Sequence, residues 1–208
     1  MMSVNNYELS GDSGEYEFLK EAVELSKDVE GMCVEIGVRR GLGTKTIIDA
    51  VRQFCPNKAV IAIDCYGSIP YTGREHVGKI RLDYDNTMKN DCMANLWAYV
   101  RDNPVNFYPC IMTDDVFFGC YNFGFELYDI DVIRCNKYSM VHLDAEHTVA
   151  DVARQILWFN ERMDSGAVIC VDDVTIDFFD IKPIQKLFTE LGWVEIKMGF
   201  KKGLWAKK

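Results

Sequence analysis

The sequence predicts an α/β domain: a mostly parallel sheet with helices on both faces, closed by an antiparallel hairpin. Three observations carry that reading. Short apolar runs of strand length recur at 32–37, 59–64, 105–112, 138–144 and 166–173. Segments of helical periodicity separate most of them, as crossovers between parallel strands require. Two further strand patterns, WVEIKM and GLWAKK, follow one another across GFKK, a spacing suited to a hairpin.

In chain order, EYEFLKEAVELSKDV (15–29) places Phe18, Ala22, Leu25 and Val29 on one helical face, with Asp12 and Glu15 expected as a reciprocal cap. MCVEIG (32–37) is a buried strand, TKTIIDAVRQF the crossover helix and AVIAID (59–64) the next strand. Residues 65–88 hold Gly67, Pro70, Gly73 and Gly78 among aromatic and charged side chains, which predicts a long irregular loop before a helix near 88–101. VNFYPCIM (105–112) is a strand, and a weaker aromatic-rich segment leads on to YSMVHLD (138–144). Thr148 and Asp151 form a capping box for TVADVARQILWFNERM, in which Val149, Val152, Ala153, Ile156, Leu157 and Met163 make one apolar face. GAVICVDD (166–173) is a fifth strand, and Pro183 suits the first turn of a helix that Gly192 ends.

With 208 residues, 49% hydrophobic and 26% charged, the chain fills one core, and we read residues 1–208 as a single domain with a leading helix in 1–30. No apolar run reaches the roughly eighteen residues of a membrane span, and the polar start lacks the pattern of a signal peptide. Neither a membrane nor a secretory route is expected. The net charge is -9, and the only basic cluster, KMGFKKGLWAKK, reads as solubilising an edge strand, so no nucleic acid is expected as partner. Eight cysteines include no CxxC pair, and Cys33, Cys110 and Cys170 lie inside strand patterns. They read as reduced thiols in a cytoplasmic protein.

Parallel sheets bind ligands outside the carboxyl ends of their strands. Here those ends carry Glu35 with Gly37, Asp64, Thr113 with Asp114, Asp144, and Asp172 with Asp173. One acid at a strand end is usually a cap or a solvated loop residue; their concurrence marks a binding edge. Gly37, Gly41 and Gly43 are spaced GxxxGxG, unlike the GxGxxG dinucleotide fingerprint. Such a turn lets a ligand approach the backbone and leaves amides to donate, although tight strand-to-helix packing would also require it. Asp64 stands where an acid takes ribose hydroxyls, which points to an adenosine-containing cofactor. Asp144, Asp172 and Asp173 would repel one another unless neutralised; a divalent cation, most naturally Mg²⁺, would do so.

The stretches VEIGVRRGLGTKTIIDAV, AIDCYG, VHLDAEHTVADVARQILWF and GAVICVDDV, in that order, resemble the class I S-adenosylmethionine-dependent methyltransferases. The likeness spans about residues 30–175 and is greatest to small-molecule, catechol-type and sugar O-methyltransferases. It implies a Rossmann-like, seven-stranded sheet with terminal antiparallel strands. It also implies that Glu35, Gly37, Gly41, Gly43 and Thr44 surround the methionine part of the cofactor, that Asp64 binds the ribose, and that Asp114, or equally Asp115, faces the adenine. Arg39 and Arg40 depart from the small residues usual between the glycines. In the metal-dependent members, acids in the places of Asp144, Asp172 and Asp173 hold the ion, and His147 stands where a catalytic base is found. A capping or cofactor-contacting role for His147 is equally open.

Residues 65–103, with Tyr66, Tyr71, Arg74, His76, Tyr84 and Trp97, are expected to form a lid and substrate wall. DCYGSIPY is similar to relatives acting on sugars or glycosylated natural products. The function expected is S-adenosylmethionine-dependent, metal-assisted O-methylation of a saccharide, polyol or phenol hydroxyl, with the small-molecule acceptor, and optionally a second copy of the chain, as partners. A metal-independent O- or N-methyltransferase and a non-catalytic cofactor-fold subunit stay open. A glycosyltransferase reading Asp144-Ala145-Glu146 as its metal motif is more remote, because it leaves the glycine turn unexplained.

Overall fold

A computed structural model describes residues 7–11, 13–67, 70–71, 79–80, 84–128, 132–145, 148–174 and 180–208. Its elements run α1 (Glu17–Leu25), β1 (Met32–Ile36), α2 (Leu42–Phe54), β2 (Ala59–Asp64), β3 (Pro70–Tyr71), β4 (Lys79–Ile80), α3 (Asn86–Asp102) and β5 (Asn106–Ile111). There follow α4 (Asp114–Cys120), β6 (Phe125–Tyr128), β7 (Val132–Cys135), β8 (Tyr138–Leu143), α5 (Val149–Asn160), β9 (Val168–Val171), α6 (Lys182–Glu190), β10 (Trp193–Met198) and β11 (Gly203–Lys207).

The sheet has seven strands in the order β10-β11-β9-β8-β1-β2-β5. Its five inner and early strands are parallel; β11 runs antiparallel to β9 and to β10. The continuous apolar runs are strands because both of their faces are covered. Val34, Ile36, Ile61, Ile63, Val141 and Ile169 pack under α4, α5 and α6. Cys33, Val60, Ala62, Met140 and Cys170 face α1, α2 and α3. Pro109 is tolerated inside β5 because that strand is a sheet edge, where one backbone donor is dispensable. The eight cysteines are all free thiols.

Three local expectations change. Helix α1 begins after Tyr16 with no side-chain cap; Asp12 lies outside the described residues. Glu15 adopts φ 55 and turns its carboxylate to the β10–β11 hairpin, accepting from the amides of Phe200, Lys201 and Lys202 at 2.9, 2.8 and 2.9 Å. Three backbone donors at a hairpin turn outcompete a helix end for one acceptor. Along α5 the buried face is Val152, Gln155, Ile156 and Phe159, and Leu157 is exposed. The polar Gln155 is inside because its amide has a buried partner, Asp114. The aromatic-rich segment after β5 folds as α4 and the β6–β7 hairpin, with Phe117 stacked on Phe125 and Phe118 on Trp158.

Candidate active site

The chain reverses its direction across the sheet at β1, which lies between β2 and β8. The crevice therefore opens at the carboxyl ends of β1 and β8. The glycine turn stands on one side of it and Asp144 on the other, and the Asp144 amide donates to Ile36 O at 2.8 Å. A Cβ on Gly37, whose φ is 93, would come within 2.3 Å of Asp144 O. One on Gly43 would stand 2.0 Å from Glu35 Oε1. These two glycines are thus required by the protein's own packing, whatever ligand the turn receives. Gly41 is the N-cap of α2. Thr44, in the first turn of that helix, donates its hydroxyl to Glu35 Oε2.

Asp64 is buried at the end of β2 and fully engaged. Its Oδ2 accepts from the amides of Val38 and Arg39, both at 2.9 Å, and from the Tyr84 hydroxyl at 2.5 Å. Its Oδ1 accepts from the Tyr66 amide at 3.0 Å. The Tyr66 and Tyr84 rings stack with centroids 5.6 Å apart, and Tyr66 donates its hydroxyl to Arg39 O. Burial, with the Asp64 charge second, pushes both phenols well above their ordinary range, so they stay protonated donors. A carboxylate offers about four acceptor positions. Only the one taken by Tyr84 can be vacated without undoing the backbone.

A second polar group follows from strand register. Glu35 on β1 is level with His142 on β8, His142 with Cys170 on β9, and Cys170 with Leu204 on β11. Two steps toward the strand ends, the antiparallel β11 brings Lys202 against Asp172. The ammonium lies 2.7 Å from Asp172 Oδ2, 3.4 Å from His142 Nε2 and 2.9 Å from Ser13 Oγ, and Lys202 is fully buried. His142 Nδ1 is 3.0 Å from Glu35 Oε1. The row Thr44–Glu35–His142–Lys202–Asp172 thus links the glycine turn to the acids.

Asp144 reaches His142 Nε2 at 3.9 Å, its side chain 23% exposed. Burial, then the neighbouring Asp172 carboxylate, pushes Asp144 well above the usual carboxylate range, and Lys202 only partly offsets them. Asp172 is held at about 2: burial opposes its charge, and the Lys202 ammonium and His142 outweigh that cost. Asp173 follows at φ 53 and is buried beside them. Arg39, Tyr66 and Asp173, each with positive φ, all lie just past the end of a strand at this edge; such strain gathers at functional sites.

Among the described residues, the acidic or imidazole ligand atoms that converge within 4.8 Å belong to His142, Asp144 and Asp172. That differs from the expected Asp144, Asp172 and Asp173 set, and the basic cluster read as surface-solubilising contributes its Lys202 to the interior. Asp114 is engaged within the protein. Its Oδ2 accepts from Arg154 and Gln155 on α5, both at 2.8 Å, and Oδ1 from the Asp115 amide at 2.9 Å. The side chain ties α4 to α5. Arg40 lines a small cavity with Asp85 and Asp91, so acids of the protein face it. Trp97 packs edge-on against Phe107, away from the crevice. His147 lies outside the described residues, as do Arg74, His76 and the side chain of Tyr71.

His142 and Lys202 were missed in the sequence. His142 has a readable signal, since it stands two residues before Asp144 on one strand and so shares its face. Lys202 has none before the register of the closing hairpin is known.

A family model described as "methyltransferase domain" matches residues 34–174. A search of curated proteins returns no match. The O-methyltransferase TomG from Streptomyces achromogenes, involved in tomaymycin synthesis and solved with S-adenosylmethionine, superposes with TM-score 0.60 at 14% identity, covering 96% of this chain and 81% of that one. The O-methyltransferase NovP gives TM-score 0.60 at 13% identity, covering 93% and 79%. CalS11, a TDP-rhamnose 3'-O-methyltransferase of calicheamicin biosynthesis, gives 0.56 at 10% identity, covering 92% and 77%. With the glycine turn, the acid at the end of β2 and the seven-stranded sheet in place, the chain belongs to the methyltransferase-domain family and is an S-adenosylmethionine-dependent methyltransferase of the class I fold.

Proposed function

We propose that the protein transfers a methyl group from S-adenosylmethionine to a hydroxyl of a small molecule, a saccharide or polyol before a phenol. The observation that carries this is the juxtaposition of two sites at one sheet edge: Asp64, tied to the amides of the glycine turn, and the Asp144–Asp172–Lys202 cluster across the crevice. The sugar hydroxyl named for CalS11 supports the choice of acceptor.

The residues fit the cofactor. Asp64 would take the ribose hydroxyls once Tyr84 withdraws, and the turn Gly37–Gly43 would hold the methionine part. S-adenosylmethionine supplies an electrophilic sulfonium methyl when bound. The protein's part is to align the acceptor oxygen with that methyl, since displacement at carbon depends chiefly on positioning. Asp144, partly exposed at the crevice, is placed to receive the acceptor's proton when it is ionised. His147 is its sequence-based alternative as base.

The divalent cation expected at Asp144, Asp172 and Asp173 fits less well. The Lys202 ammonium already lies 2.7 Å from Asp172 Oδ2 and 3.4 Å from His142 Nε2. An ion on those oxygens would meet a positive charge at contact distance, so we draw no step through it.

Calorimetric titration with S-adenosylhomocysteine, followed by transfer assays on nucleotide-sugar, polyol and phenol acceptors, tests the reading. Absence of S-adenosylhomocysteine binding would overturn it. Binding with transfer only to nitrogen acceptors would replace oxygen by nitrogen.

A further inference from the structure

We propose that Lys202 is the resident cation of the acid cluster, standing where a divalent ion would otherwise be held and positioning Asp172 and Asp144 for ion-independent transfer. The catalytic consequence rests on the methyltransferase reading; the charge assignment does not.

The coordination of the ammonium carries the inference. The Lys202 ammonium is ion-paired with Asp172 Oδ2 at 2.7 Å and lies within hydrogen-bond reach of Ser13 Oγ at 2.9 Å and His142 Nε2 at 3.4 Å. Those partners come from β8, the end of β9 and the segment before α1, so the ammonium is enclosed rather than free to swing. Its backbone is fixed as well, because the Lys202 amide donates to Glu15 Oε2 at 2.9 Å. Within the residues expected to bind metal, Asp172 spends its Oδ2 on this contact and its Oδ1 on the Asp173 amide at 2.9 Å. A hard divalent ion seeks several oxygen ligands at about 2.0–2.6 Å. On these atoms it would replace the lysine, not join it.

The test is a Mn²⁺ titration, read by electron paramagnetic resonance and calorimetry, on the full chain without cofactor or acceptor. The wild-type protein should take up no stoichiometric Mn²⁺, and EDTA should leave its Tm unchanged. Lys202→Met should gain Mn²⁺ affinity by at least about tenfold, and Asp172→Asn added to it should abolish the gain. A merely structural lysine predicts loss of stability but no new ion site. Should Lys202→Met not fold, Lys202→Gln, which keeps a donor for Asp172, carries the same comparison. One equivalent of Mn²⁺ bound by the wild type and lost in Asp172→Asn would overturn the proposal. So would folded Lys202 variants that gain no affinity. Failure to bind S-adenosylhomocysteine would undo the methyltransferase reading and leave this result standing.

Discussion

Tyr84 donates its hydroxyl to Asp64 Oδ2 at 2.5 Å, on the same carboxylate oxygen that the Val38 and Arg39 amides hold. The tyrosine therefore occupies an acceptor position that a ribose hydroxyl would use. Tyr84→Phe removes this competitor and keeps the ring stacked on Tyr66. S-adenosylhomocysteine should bind about threefold to tenfold tighter, the worth of one hydrogen bond no longer exchanged. Asp64→Ala should weaken binding by more than tenfold on the same scale. A calorimetric series on the two variants checks both, and weaker binding by Tyr84→Phe would mean that the phenol contacts the cofactor itself.

Asp172 and Lys202 make stability depend on pH at both ends. Asp172 titrates at about 2 in the fold, below its unfolded value near 4. Its contribution is present above about pH 4 and is lost as pH falls toward 2. Lys202 is raised, burial being outweighed by Asp144 and Asp172. Its contribution is present below the ordinary lysine value of about 10.5 and disappears as pH rises through the folded value. Asp172→Asn strands a buried ammonium and should cost about 3–5 kcal/mol at pH 7. Urea denaturation from pH 2.5 to 9 should show that loss, together with a shallower acid limb in the variant.

Asp144 has the opposite sign. Its pKa is raised by burial and by Asp172, so the native state holds a proton that the unfolded chain releases, and stability falls as pH rises through the folded value. Asp144→Asn removes that cost while keeping the shape. The variant should be as stable as wild type below about pH 4, the unfolded carboxylate value, and more stable at pH 8, with Tm higher by about 2–4 °C for each kcal/mol recovered, while methyl transfer is lost. A variant destabilised at pH 8 would mean that Asp144 is held ionised.

The sheet and its binding edge were legible because buried parallel strands declare themselves as short apolar runs, and because each ended in, or within two residues of, an acid or a glycine. What those side chains do was less legible. Asp114 looked like a ligand residue from its position after β5, but its role depends on Arg154 and Gln155, about forty residues on. The acid cluster was seen without its cation because Lys202 sits in a run of basic residues that reads as solvent-facing. Only the antiparallel pairing of Leu204 with Cys170 brings it inward. Glu15 was read locally, as a helix cap, when its partners lie some 185 residues away. Periodicity reports faces; it does not report which distant element completes them.

Glu15 gives the last expectation, because it connects the leading segment to Lys202. Its carboxylate accepts three consecutive amides at the hairpin turn, the third being Lys202's own. Those bonds and the Lys202 charge lower its pKa despite some burial, so the clamp is present at neutral pH and weakens as pH falls through the folded value. Glu15→Ala leaves three donors to water and should cost about 2 kcal/mol. The effect should be local: faster hydrogen exchange at the amides of Phe200, Lys201 and Lys202, with the amides of β1 and β8 protected as before. With its backbone loosened, Lys202 should hold Asp172 less firmly, and the acid limb of the stability curve should move to higher pH. Glu15→Gln keeps an acceptor and should fall between. Uniformly faster exchange across the sheet in Glu15→Ala would instead show that the clamp supports the whole fold and not the placement of one lysine.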